Sequence, residues 1–269
     1  NTLEVVKTVD FGVYLDGKEE GEILLPTRYV PENCVPGDLL NVFLYLDNEE
    51  RLIATTLTPL VQVGEFACLE VAWVNEFGAF LNWGLMKDLF VPFREQKMKM
   101  QVGKSYVVHA HIDEESYRIV ASAKIERYLS KETPTYQAGA EVDILIWQKT
   151  DLGFKAIIDQ QFPGLLYDSE IFQSLRTGMT LKAFVKQVRP DGKIDLILQK
   201  PGAAKVDDFA SSLLDYIKEH GGAVKLNDKT PADDIYQIFG VSKKTFKKAV
   251  GDLYKKHLIV LTDNGLKLA

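Results

Sequence analysis

The sequence predicts a multidomain, mainly β protein, with three consecutive five-stranded barrels followed by a C-terminal domain that mixes helices and strands. Two observations predict this fold class. A short motif and a later glycine recur three times, with the same interval of 25 residues between their glycines. From Phe209 onward, the spacing of apolar residues changes from a period of two to that of a helix. We therefore expect four domains, at residues 1–60, 61–132, 138–200 and 205–269.

Each repeat is marked by two glycines in fixed register. The first glycine lies in a four-residue motif, and the second precedes a β-hairpin pattern with acidic or Pro-Asp-Gly residues at its turn. A repeat of about 60 residues with a strand about every 8 to 12 residues is typical of a small closed barrel, because closure removes exposed sheet edges. Strand counting leaves an SH3-like barrel open as an alternative. The glycine pairs are Gly12 with Gly37, Gly78 with Gly103, and Gly153 with Gly178.

The composition is that of a globular protein. Of the 269 residues, 46% are apolar and 26% are charged, which supplies enough apolar side chains for packed cores. No apolar run approaches the roughly 18 residues of a membrane-spanning helix. The cysteines, Cys34 and Cys68, lie outside any CxxC or Cys/His cluster, which disfavours a zinc site or a disulfide scaffold. We expect a cytoplasmic protein that does not contact a membrane.

The last domain has the element order of a winged helix. An amphipathic helix begins near Phe209, and a short strand follows it. A second helix ends at Gly240, and Ser242 is placed to cap a third helix. The apolar runs LIVL and LKLA then flank the turn sequence TDNG, which predicts a closing β-ribbon. Helix, strand, helix-turn-helix and ribbon is the winged-helix order, which we assign to this α+β domain.

The third helix of this domain is rich in lysine. Residues 243–257 contain six lysines and one acidic residue. Because residues four apart lie on the same side of a helix, the lysines in its first half put like charges together on one side. We predict that these side chains contact nucleic acid, and a solvated helix face is the alternative interpretation. The four lysines are Lys243, Lys244, Lys247 and Lys248.

Each repeat resembles the S-one (S1) RNA-binding domain, a five-stranded oligonucleotide-binding (OB) barrel. The resemblance rests on the apolar strand, the Phe-Gly-small-Phe motif, the glycine 25 residues later, and the acidic turn followed by a basic residue. Three such copies before a winged helix resemble the conserved virulence factor B family of bacterial RNA-binding regulators. The resemblance implies a non-enzymatic regulator of gene expression that holds single-stranded RNA. Bases would stack on aromatic rings, and Lys and Arg side chains would contact the phosphates.

The resemblance also implies which residues bind RNA. The third repeat departs from the pattern, because Leu152 and Lys155 stand where the family has two rings. Tyr167 takes the position at which many family members have a histidine, and Pro26 and Pro92 stand there in the other repeats. The matching positions are Phe77, Phe80 and Arg118 in the second repeat, Phe11, Tyr14 and Arg51 in the first, and Lys155, Tyr167 and Lys193 in the third.

Net charge separates the domains. Residues 1–60 hold 4 basic and 11 acidic residues, a net charge of −7, and residues 201–269 carry +2, whereas the whole chain carries −6. Because phosphate contacts dominate affinity for nucleic acid, the first barrel is predicted to be structural or to face a protein. The second barrel is the predicted main RNA-binding domain. The loop that runs into Gly103 adds four basic candidates, Arg94, Lys97, Lys99 and Lys104.

The sequence contains no motif of a known catalytic site. His109 and His111 share one face of a predicted strand, but no third ligand is placed beside them, so we expect no metal, cofactor or catalytic residue. Single-stranded RNA is the expected partner of a monomer. Two alternatives stay open. One is a transcription regulator that reads duplex DNA through the winged helix, and the other is a protein-binding scaffold that uses the acidic first barrel or the winged helix.

Overall fold

The computed structural model describes residues 1–47, 49–171, 173–199, 204–262 and 265–269, with the backbone alone for residues 204–208. Residue 200, the predicted end of the third domain, lies outside these ranges, as do residues 263 and 264 of the predicted turn. Contacts divide the chain into two compact units, Asn1–Leu129 and Ser130–Ala269. Each unit contains two clusters of buried apolar side chains, and each of the four predicted domains holds one of these clusters. The exact boundaries of the four domains stay predictions.

The first domain forms a six-stranded sheet. Its strands are β1 (Thr2–Val9), β2 (Gly12–Asp16), β3 (Glu22–Pro26), β4 (Leu39–Asn41), β5 (Phe43–Leu46) and β6 (Leu52–Thr55). They lie in the order β4-β1-β2-β3-β6-β5, with β3 and β6 parallel and the other neighbours antiparallel. Strands β4 and β5 are therefore the two edges of an open sheet, because hydrogen bonds between strands do not join them to each other.

The second and third domains are closed five-stranded barrels, as the sequence predicts. The second consists of β7 (Phe66–Val74), β8 (Gly78–Asn82), β9 (Leu89–Pro92), β10 (Ser105–Ile112) and β11 (Ile119–Ser122). The third consists of β12 (Glu141–Thr150), β13 (Gly153–Ile158), β14 (Phe162–Tyr167), β15 (Thr180–Val188) and β16 (Ile194–Ile197). Both share one strand order, with a parallel contact between their third and fifth strands.

A single interruption explains why the first sheet is open. In the closed barrels one continuous strand, β10 or β15, pairs first with the initial strand and then with the last strand. The corresponding stretch of the first domain is split at Val42 into β4, which pairs with β1, and β5, which pairs with β6. The N–H of Val42 donates instead to the carbonyl of Asn1. The first domain thus keeps the strand order of the other two, but it is not the closed barrel that we expected.

The motif glycine of each repeat is required by close packing of the backbone. Each one lies at the start of its second strand, directly against the third strand. An added Cβ would lie 2.1 Å from the carbonyl oxygen of Leu25 at Gly12, 2.3 Å from that of Val91 at Gly78, and 1.9 Å from that of Leu166 at Gly153. Because no side chain fits at these distances, the recurring glycine marks the same tight strand crossing in all three domains.

The first strand of each of the first three domains contains a one-residue irregularity in its pairing. A bulge of this kind adds one residue to a strand and re-aims the side chains that follow it. In β7, Val71 points into the core, and without the bulge Trp73 would point there too, since side chains two apart share a face. The irregularities lie between Val5 and Lys7, between Val71 and Trp73, and between Ile146 and Gln148. In each pair the first residue is buried and the second is exposed.

The C-terminal domain is a winged helix. Its elements are α1 (Ala204–Glu219), β17 (Ala223–Val224), α2 (Ala232–Phe239), α3 (Lys243–Lys255), β18 (Ile259–Thr262) and β19 (Gly265–Leu268). Helix α2 ends at Gly240 in the left-handed conformation, and the Ser242 hydroxyl caps α3 by accepting from the N–H of Thr245. No helix in the described ranges is long and apolar enough to cross a bilayer.

Candidate nucleic-acid interface

A groove of about 1330 Å³ is lined by residues of the second barrel and by the β5–β6 hairpin of the first domain. Strands β7, β8 and β9 contribute Trp73, Phe80 and Phe90, and the first domain contributes Tyr45 and Ile53. Aromatic rings therefore form much of the wall. Because unpaired nucleobases stack on such rings, the groove has the chemistry of a site for single-stranded nucleic acid.

The rings of the second barrel form an ordered stack. Trp73 lies on Phe80 with 3.7 Å between ring centres and 3° between ring planes, and Phe80 in turn contacts Phe90 at 4.9 Å. The indole N–H of Trp73 donates to Asp88 at 2.8 Å, which fixes the rotation of the ring. Phe77 lines the same groove, with 65% of its surface exposed. The structure thus places Phe77 and Phe80 in the wall of the same groove and adds Trp73, which the sequence analysis did not single out.

Two predicted cations, Arg118 and Arg94, line the same groove. Arg118 donates to Glu50 of the first domain at 2.7 Å, and Arg94 donates to Asp113 at 2.6 Å. The Arg94 guanidinium also lowers the pKa of the Asp113 carboxyl, although hydrogen bonds from Ser116 are the largest cause. Since both cations already have carboxylate partners, a phosphate that enters the groove must compete with those carboxylates.

A third cation of the groove, Lys87, was not identified from the sequence. Its ammonium group donates to the main-chain carbonyls of Leu46 and Asp47 at 3.1 and 3.2 Å. Burial lowers the pKa of Lys87, and the positive charge of Arg118 lowers it further. Lys87 therefore ties the second barrel to the β5–β6 hairpin of the first domain, and it helps to build the composite groove.

The other basic residues of the predicted loop do not line this groove. Lys97 pairs with Glu126 at 2.6 Å, the Lys99 ammonium lies 5.9 Å from the ring centre of Phe93, and Lys104 is exposed. None of these three lysines is among the described residues of the groove wall. Of the four loop candidates, the structure therefore places Arg94 alone with the aromatic stack.

The predicted site of the first domain combines two rings with an arginine that is paired with carboxylates. Phe11 and Tyr14 meet edge to face at 6.3 Å, and Phe11 is 57% exposed. The ammonium of Lys7 lies over the Tyr14 ring, 4.8 Å from its centre. Arg51 is held by Asp47 at 2.8 Å and also pairs with Glu49. The rings are present, but their cation has two carboxylate partners.

The third barrel replaces ring stacking with cation–ring contacts. The Lys155 ammonium lies 5.2 Å from the ring centre of Trp147, which is itself 7% exposed. Lys193 pairs with Asp191 at 2.9 Å in the turn. The hydroxyl of Tyr167 accepts a hydrogen bond from Arg189. The third barrel therefore presents a cation, Lys155, at the position of Phe80, and the exposed aliphatic side chain of Leu152 at the position of Phe77.

Arg189 of the third barrel also holds a buried carboxylate. Its guanidinium donates to both oxygens of Asp195, at 2.6 and 2.9 Å, and Gln187 donates to the same carboxylate at 2.7 Å. Burial opposes the charged form of Asp195, but the hydrogen bonds from Arg189 and Gln187 outweigh it and lower the pKa of this group. This cluster fixes the position of Tyr167 beside Arg189.

The four predicted lysines of α3 differ from the cations of the groove. Lys244, Lys247 and Lys248 are exposed, and Lys243 is half-buried. Within the part of the chain that the structure describes, none of the four has an ion pair with a carboxylate. Positive charges without carboxylate partners are available to phosphates, and α3 presents a cluster of such charges.

A pair of histidines lies in β10 of the second barrel. His109 is 7% exposed and stacks on Tyr128, with 4.1 Å between ring centres, and His111 contacts the same ring at 5.0 Å. The ring of Phe66 covers His109 at 4.6 Å. Burial lowers the pKa of His109 to about 4, with a further contribution from His111. The geometry is that of packed aromatic side chains.

Comparison with protein-family models and known proteins identifies relatives of this chain. Residues 211–268 match the CvfB-like winged helix domain, and residues 1–57 match the S1 domain. The chain is 30% identical over 265 residues to the uncharacterized protein YitL of Bacillus subtilis, with coverage of 94% of this chain and 87% of that protein. It is 22% identical over 233 residues to conserved virulence factor B of Staphylococcus aureus, with coverage of 83% and 77%.

The chain belongs to the conserved virulence factor B family. A solved structure from Streptococcus pneumoniae, described as a multidomain protein with nucleic acid binding domains, aligns with 100% of this chain and 97% of that chain, at 23% identity and a TM-score of 0.44. The matched S1 and winged-helix domains are nucleic-acid-binding domains, which indicates a nucleic-acid partner for this member of the conserved virulence factor B family.

Proposed function

We propose that this protein binds single-stranded RNA in the groove of the second barrel, as a monomeric cytoplasmic regulator of gene expression that catalyses no reaction. The observation that carries the proposal is the aromatic stack of Trp73 and Phe80 with Phe77 exposed in the same groove. A base stacked on an aromatic side chain contributes roughly 1 to 3 kcal/mol. The S1 resemblance of the repeats supports RNA as the ligand.

The proposal divides the binding energy between two surfaces. In the groove, Arg118 and Arg94 are already paired with carboxylates, so bases supply most of the affinity there. On α3, lysines without carboxylate partners among the described residues are free to contact phosphates. Contacts of the second kind release counterions, so the total affinity falls as salt rises.

A second candidate function rests on α3 alone. A winged helix with exposed lysines on its third helix can bind duplex DNA, and the charges of Lys244, Lys247 and Lys248 fit this use. Duplex DNA keeps its bases stacked and paired, however, so it would leave the rings of the second barrel unused. The first domain, with its net charge of −7 over residues 1–60, is assigned a structural role as one wall of the groove.

Replacing Phe77 and Phe80 together by alanine is expected to lower the affinity for single-stranded RNA by at least about tenfold, since it removes the exposed ring and the support of Trp73. The matched control is the double variant Phe11→Ala with Tyr14→Ala, at the same positions of the acidic first domain. It is expected to change the affinity less than about threefold. Fluorescence anisotropy of a labelled RNA measures both, and an unchanged affinity of the Phe77/Phe80 variant would contradict stacking in this groove.

A further inference from the structure

We infer that Trp73 is the residue on which an RNA base stacks in the second barrel, and that Phe80 supports Trp73 from below. This inference rests on the proposed RNA binding and assigns the contact within it. Alignment of the repeats with the S1 pattern points to Phe77 and Phe80 instead. The structure shows that one of those two rings is not free to receive a base.

One face of Phe80 is covered by another aromatic ring, and a third ring contacts Phe80 as well. The indole of Trp73 lies parallel to Phe80 at 3.7 Å, a separation that leaves no space for a base between them. Phe90 lies against Phe80 at 4.9 Å. Trp73 is 44% exposed and lines the groove, whereas Phe80 is half-buried. A base that enters the groove therefore meets the outer face of the indole.

Two features hold Trp73 in this position. The bulge between Val71 and Trp73 turns the indole out of the barrel, directly opposite Phe80 on the neighbouring strand. The hydrogen bond from the indole N–H to Asp88, at 2.8 Å, fixes the rotation of the ring. The free protein therefore already holds the indole in the binding geometry. Because of this, the ring loses little conformational entropy when a base stacks on it.

The residues at the same position in the first and third domains cannot form such a stack. The bulge places Lys7 opposite Tyr14 in the first domain and Gln148 opposite Lys155 in the third. Neither pair is a stack of two aromatic rings. One position in the register therefore distinguishes the second barrel from the first and third domains.

Intrinsic fluorescence tests the contact directly. The chain has three tryptophans, and the other two, Trp83 and Trp147, are only 3% and 7% exposed. Titration of the full chain with a single-stranded oligouridylate of about 12 nucleotides should quench the wild-type protein and the Trp83→Phe control. The Trp73→Phe variant should bind the same labelled RNA by anisotropy with little quenching. Quenching that persists in Trp73→Phe would overturn the assignment.

The ranking of affinities gives a second and independent test. Trp73→Ala should weaken binding by about tenfold or more, Trp73→Phe by less than about threefold, and Phe80→Leu by an intermediate factor, because Phe80 acts as a positioning residue. A larger loss in Phe80→Leu than in Trp73→Ala would make Phe80 the stacking residue and refute the inference. If the wild-type protein binds RNA and the Trp73→Ala variant binds it with the same affinity, this inference is refuted and the proposed function is not. Absence of wild-type RNA binding refutes the proposed function and this assignment together.

Discussion

Gly153→Ala is expected to lower the free energy of unfolding of the third barrel by about 3 kcal/mol, because the new methyl group has no space. Its Cβ would lie 1.9 Å from the carbonyl oxygen of Leu166 and 2.9 Å from the Cα of Tyr167, and both are backbone atoms of the paired strand. To relieve the overlap, β13 and β14 must separate where they are hydrogen-bonded. Urea denaturation followed by Trp147 fluorescence, with Trp73 and Trp83 replaced by phenylalanine, measures the loss.

Gly192→Ala is the matched control in the same barrel. Gly192 has a φ of +78°, and no heavy atom lies within 4 Å of an added Cβ. The substitution should therefore cost only the backbone strain of the left-handed conformation, about 1 kcal/mol. Equal losses for the two variants would contradict the assignment of close backbone contact to the motif glycine, and with it the physical meaning of the recurring motif.

The second barrel is expected to lose stability as the pH falls from 6.5 to about 4, through His109. Burial lowers the pKa of His109 from 6.5 to about 4, and His111 adds to this effect. Between these values the unfolded chain binds a proton that the folded barrel does not, so the free energy of unfolding decreases with decreasing pH. The loss at the acid end is at most about 3 kcal/mol.

His109→Phe tests the origin of this pH dependence. The phenyl ring keeps the stacking on Tyr128 and Phe66 but has no proton to bind. Thermal unfolding between pH 4 and pH 6.5 should therefore show a flatter profile than the wild-type protein. His220→Phe, which replaces an exposed histidine of the winged helix, should leave the profile of the second barrel unchanged. A wild-type slope that persists in His109→Phe would assign the effect to other groups.

The recurring glycines predicted the repeated domains because each of them meets the same backbone requirement, a close approach to the neighbouring strand. Gly12, Gly78 and Gly153 each lie against a neighbouring strand at a distance that excludes a side chain, so one residue type recurs at one register. The winged helix was predicted for a similar reason. Gly240 ends α2 in a left-handed conformation and Ser242 caps α3, and both requirements are local in the sequence.

The position of Trp73 could not be predicted from the same pattern. Alternation along β7 puts residues 71 and 73 on one face, and Val71 is in the core, so the rule places the indole in the core as well. The bulge reverses this orientation, and the letters VAWV contain no signal for it. The run around Val42 contains one polar residue, Asn41, and no Gly or Pro, so the interruption between β4 and β5 has no strong local sequence signal.

The partners of the groove cations also could not be predicted from the sequence. Arg118 is paired with Glu50, and Lys87 donates to carbonyls of the β5–β6 hairpin, so both contacts depend on how the first two domains pack. Residues that far apart in the chain show no periodicity that would link them. Net charge per domain identified the acidic character of the first domain, but it did not show that one of its carboxylates faces the predicted RNA-binding arginine.

We propose that the protein holds single strands by stacking their bases, with phosphate contacts as a second source of affinity. Titration of the full chain with single-stranded RNA, single-stranded DNA and duplex DNA, at about 50 mM and about 200 mM salt, tests this binding mode most directly. We expect single-stranded RNA to bind most tightly at both concentrations, with an affinity that falls as salt rises. Tighter binding of duplex DNA, or no binding of any of the three at the lower salt concentration, would contradict base stacking as the main source of affinity.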